Sequence, residues 1–249
     1  MTVLVQHYTR KLGTIVEWWP VGLLGVLIIF AVFAPWIAPL DPDRQNLLAR
    51  LKPPGFETRG IIYWLGSDEL GRDTLSRVIY GARVSLSVAF LSVVLSGVVG
   101  VTVGMTAAYL RGWSETLLMR LVDIFLSIPA ILLAIITVAV LGPGFINVIL
   151  VLALTRWPRY ARVAYGQTLV VASQPFVTLA HAMGASATRV LALHILPNIV
   201  GPLLVVATLE FGLMVLFEAG LSFLGLGVQP PTSSWGSMLS SGRNYVGSA

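Results

Sequence analysis

Cysteine is absent from this 249-residue chain, which removes disulfides and thiolate metal ligands from consideration. Charge is scarce as well. Only 11% of residues are Asp, Glu, Lys or Arg, against about a quarter in soluble domains, too few to coat a water-facing surface. Lysine occurs only at Lys11 and Lys52, and neither sits in a Gly-x-x-x-x-Gly-Lys-Ser/Thr context, so the chain carries no phosphate-binding loop. His7, His181 and His194 lack metal-ligand spacing such as His-Glu-x-x-His, and no Ser/His/Asp set can be argued from the spacing. No metal site and no catalytic residue is therefore assigned. The net charge of +5 comes without a basic patch interleaved with aromatics, which excludes nucleic acid as a partner and points to membrane orientation.

What the chain has instead is apolar length. Hydrophobic residues make up 56% and the mean hydropathy is +0.86, so the solvent for most of the chain is lipid. A spanning helix needs about 20 apolar residues. Val21 to Leu40 qualifies; with Arg10-Lys11 before it and no small-residue cleavage site after it, it reads as an uncleaved anchor. Val84 to Leu110 is uncharged and forms a second span. Ile124 to Thr155 is also uncharged, but as one helix it would be roughly 48 Å long, too much for one crossing without strong tilt. Gly142-Pro143-Gly144 breaks it into two spans joined by a tight hairpin. A last span follows Pro197 and runs to about Leu224, interrupted only by Glu210 and Glu218. The expected architecture is thus an all-α integral membrane protein. Residues 1–19 form a cytoplasmic N-terminus, and one transmembrane domain covers 20–249, with five spans at about 20–40, 82–110, 116–141, 145–166 and 198–224.

Lys and Arg in the connecting loops set orientation. Arg10 and Lys11, Arg111 and Arg120, and the group Arg156, Arg159, Arg162 and Arg189 fall on alternating sides that read as cytoplasmic, while the Gly142–Gly144 turn has none. The 41–83 stretch, expected outside, carries seven Lys/Arg but also six Asp/Glu, and the rule weakens in long segments. The amino terminus is therefore placed inside and the carboxyl end of these five spans outside. Trp18, Trp19 and Trp36 read as interface anchors.

Two segments do not span. The outer segment 41–81 opens on the turn signals Asp41-Pro42-Asp43 and Pro53-Pro54-Gly55, and Ser67-Asp68-Glu69 before Leu70 resembles a helix start. Asp68, Glu69 and Asp73 serve either capping and solvation or docking of an outside partner. A second outer segment, 227–249, is polar and proline-rich. The cytoplasmic loop 167–197 is different. Phe176, Leu179, Ala180 and Met183 fall at i, i+3, i+4 and i+7, Gly184-Ala185-Ser186 interrupts, and a second short helical pattern holds Val190, Leu191, Leu193 and His194. Two short helices around a glycine either lie on headgroups or dock a partner.

At this loop the sequence resembles the EAA loop of ABC importer permeases, whose pattern is Glu-Ala-Ala, three residues, Gly, nine residues, then Ile-x-Leu-Pro. Gly184 is followed by nine residues and then His194-Ile195-Leu196-Pro197, within GASATRVLALHILPN. Thr178-Leu179-Ala180 stands where Glu-Ala-Ala is expected, so the acidic residue is missing. Four further stretches resemble the C-type permeases of the dipeptide/oligopeptide/nickel group: LGSDELGRDTLSRVIYGARVSL at 65–86, LLMRLVDIFLSIPAILLAI at 117–135, WPRYARV at 157–163 and EAGLSFLGLGVQPPTSSWGSML at 218–239.

The resemblance implies a permease subunit of an ATP-driven importer in the bacterial or archaeal inner membrane. Its implied partners are a second permease subunit, two ABC ATPases inside and an extracytoplasmic substrate-binding protein outside. This chain binds no cofactor; ATP and Mg belong to the ATPases, so it is not itself an enzyme. The family has six spans, and a truncation that removes the last is expected. Thr178, Leu179, Ala180, His181, Met183, Gly184, Ala185, Arg189, Leu196 and Pro197 are the implied ATPase-coupling residues. Gly184 gives the bend, and Pro197 starts the next span.

Carboxylates inside a membrane are costly and face protein interior or water. Glu210 and Glu218, with Met214 between them, either line the pathway and meet cationic or peptide amine groups, or make a structural hydrogen bond to a neighbouring helix or the partner subunit. Asp123 reads as a solvated charge or as a neighbour of Arg120. Two rivals stand beside the importer. A membrane-embedded enzyme using Glu210 and Glu218 would have them about 12 Å apart along a helix. A secondary transporter would be expected to show internal repeats, and none is visible. The solute itself is not legible; peptides and nickel share these motifs.

Overall fold

The structure is a computed structural model and describes residues 18–245. His7, Arg10, Lys11 and most of the expected cytoplasmic N-terminus lie outside the described residues, as does the end of the second outer segment. The described residues divide into two units, 18–86 with 230–245 and 87–229.

In the first unit, α1 (Trp18–Val32) is a short apolar helix, and α2 (Ala34–Ile37) continues it beyond a bend at Phe33 with Pro35 in its first turn. The side chains of Trp18, Trp19 and Trp36 are exposed, as interface anchors require. The outer segment is not helical at Ser67–Leu70. A 3-10 turn at Leu47–Ala49 is capped by Asn46. A two-stranded hairpin follows, β1 (Phe56–Thr58) and β2 (Ile61–Tyr63), in antiparallel register Phe56↔Tyr63. Arg59 and Gly60 both take positive φ at its turn, the backbone twist that tight hairpins need. Asp68 then acts as a hub. Its carboxylate accepts from the Leu70 and Arg72 backbone N–H groups, each at 2.9 Å, from Arg72 Nε at 2.7 Å and from Arg77 Nη1 at 3.0 Å.

The helix start expected at Ser67 lies seven residues later. Asp73 caps α3 (Thr74–Leu110): its Oδ2 accepts from Ser76 N at 2.8 Å and Ser76 Oγ at 2.6 Å. Asp73 thus has the capping role, while Asp68 binds the arginines. α10 (Trp235–Arg243) opens with a reciprocal Ser234/Ser237 capping box, and Trp235 Nε1 donates to Val78 O at 3.1 Å.

In the second unit, α3 meets α6 (Phe145–Ala172) at glycines. A methyl group on Gly100 would come within 2.3 Å of Trp157 O, and one on Gly104 within 2.2 Å of Ala161 O. Small residues four apart let two helices approach this closely in lipid. The expected span 116–141 is two helices, α4 (Gly112–Ser127) and α5 (Ala130–Leu141), bent by 91°. Pro129, which cannot donate a helical N–H and disfavours helix at the residue before it, stands at the break. Gly142 and Gly144 make the hairpin to α6 with positive φ.

Thr74–Leu110 and Ala187–Phe223 are long and apolar enough to cross a membrane, and α4 with α5 gives a third if counted as one broken span. α1 is shorter, and α6 carries Arg156, Arg159 and Arg162. Length and composition therefore do not establish five separate crossings. They do establish a helical protein whose apolar side chains turn outward: Val98, Val140, Leu209 and Leu216 are all exposed, the reverse of a water-soluble fold.

Candidate functional site

Two features of the second unit concentrate chemistry. The first is the corner at Gly184. α7 (Pro175–Ala182) begins with Pro at its first position, where a missing N–H costs nothing. It ends in a Schellman motif: Gly184 N donates to His181 O at 2.9 Å and Ala185 N to Ala180 O at 3.0 Å. Gly184 takes φ +81°, and open space surrounds the position where a Cβ would stand. Glycine is there for its backbone conformation, not for lack of room.

α8 (Ala187–Val190) follows, then a π-helical turn over Leu191–Ile195 and α9 (Leu196–Phe223). These merge into one helix, Ala187–Phe223. Pro197 therefore does not start the span. The wider π turn precedes Pro197, whose ring nitrogen cannot donate to the i−4 carbonyl.

The apolar stripe of α7 is split: three of its four members turn outward and Ala180 turns inward. Val177 and Ala180 are buried in a cluster with Val190, Ile195 and Ile199, whereas Phe176, Leu179 and Met183 are exposed, Met183 at 79%. Thr178 and Arg189 are exposed, Ala185 and Leu196 pack against the buried cluster, and Pro197 faces outward. Ala180 and Leu196 are thus chiefly core residues. His181 stacks on Tyr109, with Nε2 3.0 Å from the phenol oxygen. Phe176, Leu179, Met183, Gly184, Arg189 and His194 are among the residues that line a groove of about 420 Å³ here.

The second feature is a buried ionic cluster between α6 and α9. Glu210 is 2% exposed. Its Oε1 accepts from Arg159 Nη1 at 3.1 Å, and its Oε2 lies 3.6 Å from Arg156 Nη1. Arg156 is buried and stacks over Phe217, 4.1 Å from the ring centroid. Arg162 pairs with Asp123 on α4, and the Asp123 side chain stays exposed. The three arginines belong to the body of α6 rather than to a loop, and they drop out of the orientation count. The sequence signal for this was present: charges inside apolar helices seek opposite charges, and Arg156, Arg159 and Arg162 fall at i, i+3 and i+6.

A cavity of about 760 Å³ opens on this cluster, lined by Leu126, Arg159, Arg162, Val163, Val206, Leu209, Glu210, Gly212, Leu213 and Leu216. Of the three pathway candidates, only Glu210 reaches it. Met214 and Glu218 are fully buried. Ser222 Oγ donates to Glu218 Oε1 at 2.7 Å, a bond within α9 itself and not the one to a neighbouring helix or partner subunit expected for a structural carboxylate.

Comparison with known proteins now bears on this geometry. Residues 100–248 match the family described as binding-protein-dependent transport system inner membrane component. Residues 21–54 match the N-terminal TM domain of oligopeptide transport permease C. The di/tripeptide transport system permease protein DppC of Pseudomonas aeruginosa is 44% identical over 228 residues, 90% of this chain and 75% of that protein. The glutathione transport system permease protein GsiD of Escherichia coli is 42% identical over 218 residues, 88% of this chain and 71% of that protein. Among solved structures, inward-facing conformations of the MetNI methionine ABC transporter align with TM-score 0.55 and 22% identity, over 68% of this chain and 80% of that one. That likeness speaks for the fold alone. Enzyme and secondary-transporter readings give way to these matches: the chain belongs to the binding-protein-dependent transport system inner membrane components, the multi-pass permease subunits of ABC importers.

Proposed function

We propose that this permease conducts a peptide, or a related small solute such as nickel, along a pathway walled by α6 and α9. In this reading it pairs with a second permease subunit and receives its cargo from an extracytoplasmic binding protein. The corner at Gly184 seats in a groove of an ABC ATPase, two of which bind ATP and Mg and hydrolyse the nucleotide. Relatives named for di/tripeptide and glutathione transport support the peptide class.

One observation carries the docking: a cap-locked corner holds Leu179 and Met183 out toward solvent. An exposed apolar pair costs free energy unless something covers it. Flanking Arg189 and His194 add polar contacts at the rim of the same groove, the usual anatomy of a protein interface. Replacing Leu179 or Met183 with Asp tests it. Truncating a central interface anchor typically costs 2 kcal/mol or more, so ATPase recovered with the permease is expected to fall by roughly tenfold or more. Recovery equal to wild type in both variants would send the corner back to the membrane surface.

A further inference from the structure

One of the two readings of Glu210 has it meet cationic groups on the solute. Its pairing argues the opposite. Glu210 and Arg156 are both nearly buried, at 3% and 4% side-chain exposure, whereas Arg159 is 53% exposed and lines the cavity. Two guanidinium groups stand against one carboxylate. Arg162 adds nothing to the balance, since Asp123 pairs with it. The cluster of Arg156, Arg159 and Glu210 therefore carries one surplus positive charge, and of its two arginines Arg159 is the one that lines the cavity, among Leu126, Val163, Leu209 and Leu213. The single hydrogen bond to Glu210 uses one N–H of Arg159. The other N–H groups of that guanidinium have no hydrogen-bond partner among the described residues.

Arg159 thus stays half open to a cavity of mostly apolar lining, with donors to spare beyond its one bond to Glu210, and a planar guanidinium is shaped to take a carboxylate with two parallel hydrogen bonds. We infer that Arg159 is a carboxylate-selecting residue: it receives the terminal carboxylate of the transported solute, while Glu210 is a positioning residue that holds Arg159 at the cavity wall. The inference rests on the reading that α6 and α9 line the pathway. It narrows the solute class to compounds with a free carboxylate.

The test uses the purified permease–ATPase complex without its binding protein, so that selection by the binding protein cannot intervene. Labelled dialanine and dialanine amide are equilibrated with it. They differ in one charge and match in size. A charge-assisted pair that forms with only one of them predicts roughly tenfold tighter retention of the acid by wild type. Arg159→Gln is expected to bring that ratio to about one. Arg159→Lys, which keeps the charge but loses the fork, is expected to fall between the two. A lost positioning contact alone would weaken both ligands together, so the ratio is the decisive readout. Equal retention of acid and amide by wild type overturns the inference, as does an unchanged ratio in a folded Arg159→Gln complex. Failure of wild type to retain either ligand also overturns it. Because the chain has no cysteine, Leu213→Cys gives it a single thiol in this cavity. Labelling of that thiol by a membrane-impermeant reagent, with no acid preference, sinks the carboxylate inference and leaves the pathway standing. No labelling in any nucleotide state sinks the pathway reading itself.

Discussion

Gly104 of α3 lies so close to α6 that a Cβ would sit 2.2 Å from Ala161 O. Gly100, one turn earlier, faces Trp157 O and Tyr160 Cβ in the same way. The nearest atom in each case is a backbone oxygen, which cannot swing aside. Gly104→Val and Gly100→Val are expected to cost at least the 1–3 kcal/mol of core overpacking, seen as loss of folded protein in the membrane fraction. Gly97 is the internal control. Its nearest neighbour stands at 3.7 Å, so Gly97→Ala should accumulate like wild type.

The corner at Gly184 makes the opposite prediction. There a side chain has room but the backbone does not suit it. A β-branched residue held in the left-handed region costs about 1–2 kcal/mol, and asparagine less. Gly184→Val should therefore weaken both ATPase association and transport, and Gly184→Asn should retain most of each. Equal behaviour of the two variants would remove the conformational argument.

Asp73 caps α3 through Ser76. Asp73→Ala is expected to lower stability by about 0.5–2 kcal/mol, and Asp73→Ser by much less. Thermal unfolding of the detergent-solubilised protein reads the difference. An unshifted midpoint for Asp73→Ala would show that the cap is dispensable.

Glu210 stands between two arginines. Glu210→Gln leaves Arg156 buried beside no anion, and breaking such a pair costs about 3–5 kcal/mol when both partners are buried. Much of the Arg159 share is screened by water. The double variant Glu210→Gln/Arg156→Gln removes the stranded charge and should recover part of the lost thermal stability. A double variant no more stable than the single one would show that Arg156 was never the problem.

Much of this was legible in the sequence because it follows from short-range chemistry. Gly142-Pro143-Gly144 had to be a hairpin and Gly184 had to be a corner, while the stripe of Phe176, Leu179, Ala180 and Met183 had the right period but Ala180 turns inward. What escaped was decided by contacts between elements. Pro129 looked compatible with one long apolar run until the 91° turn put it at a break. Arg156, Arg159 and Arg162 fall within the expected span 145–166 yet entered the orientation count; α6 carries them on to Ala172, with Glu210 and Asp123 as their counter-charges. Asp68 and Asp73 were interchangeable as caps until Arg72 and Arg77 claimed the first. Leu196 was assigned to a partner contact, but the buried cluster at Val190 and Ile199 uses it first.

The unbroken course of α8 into α9 has a mechanical meaning. Ala187–Phe223 is 37 residues long, a rod of about 55 Å at the usual helical rise. With no joint at Pro197, tilting that rod by 5° swings one tip about 5 Å relative to the other. Gearing of this kind turns a small displacement at Ala187 into a several-ångström excursion at Phe223, with the wall that bears Glu210 carried along part-way between them.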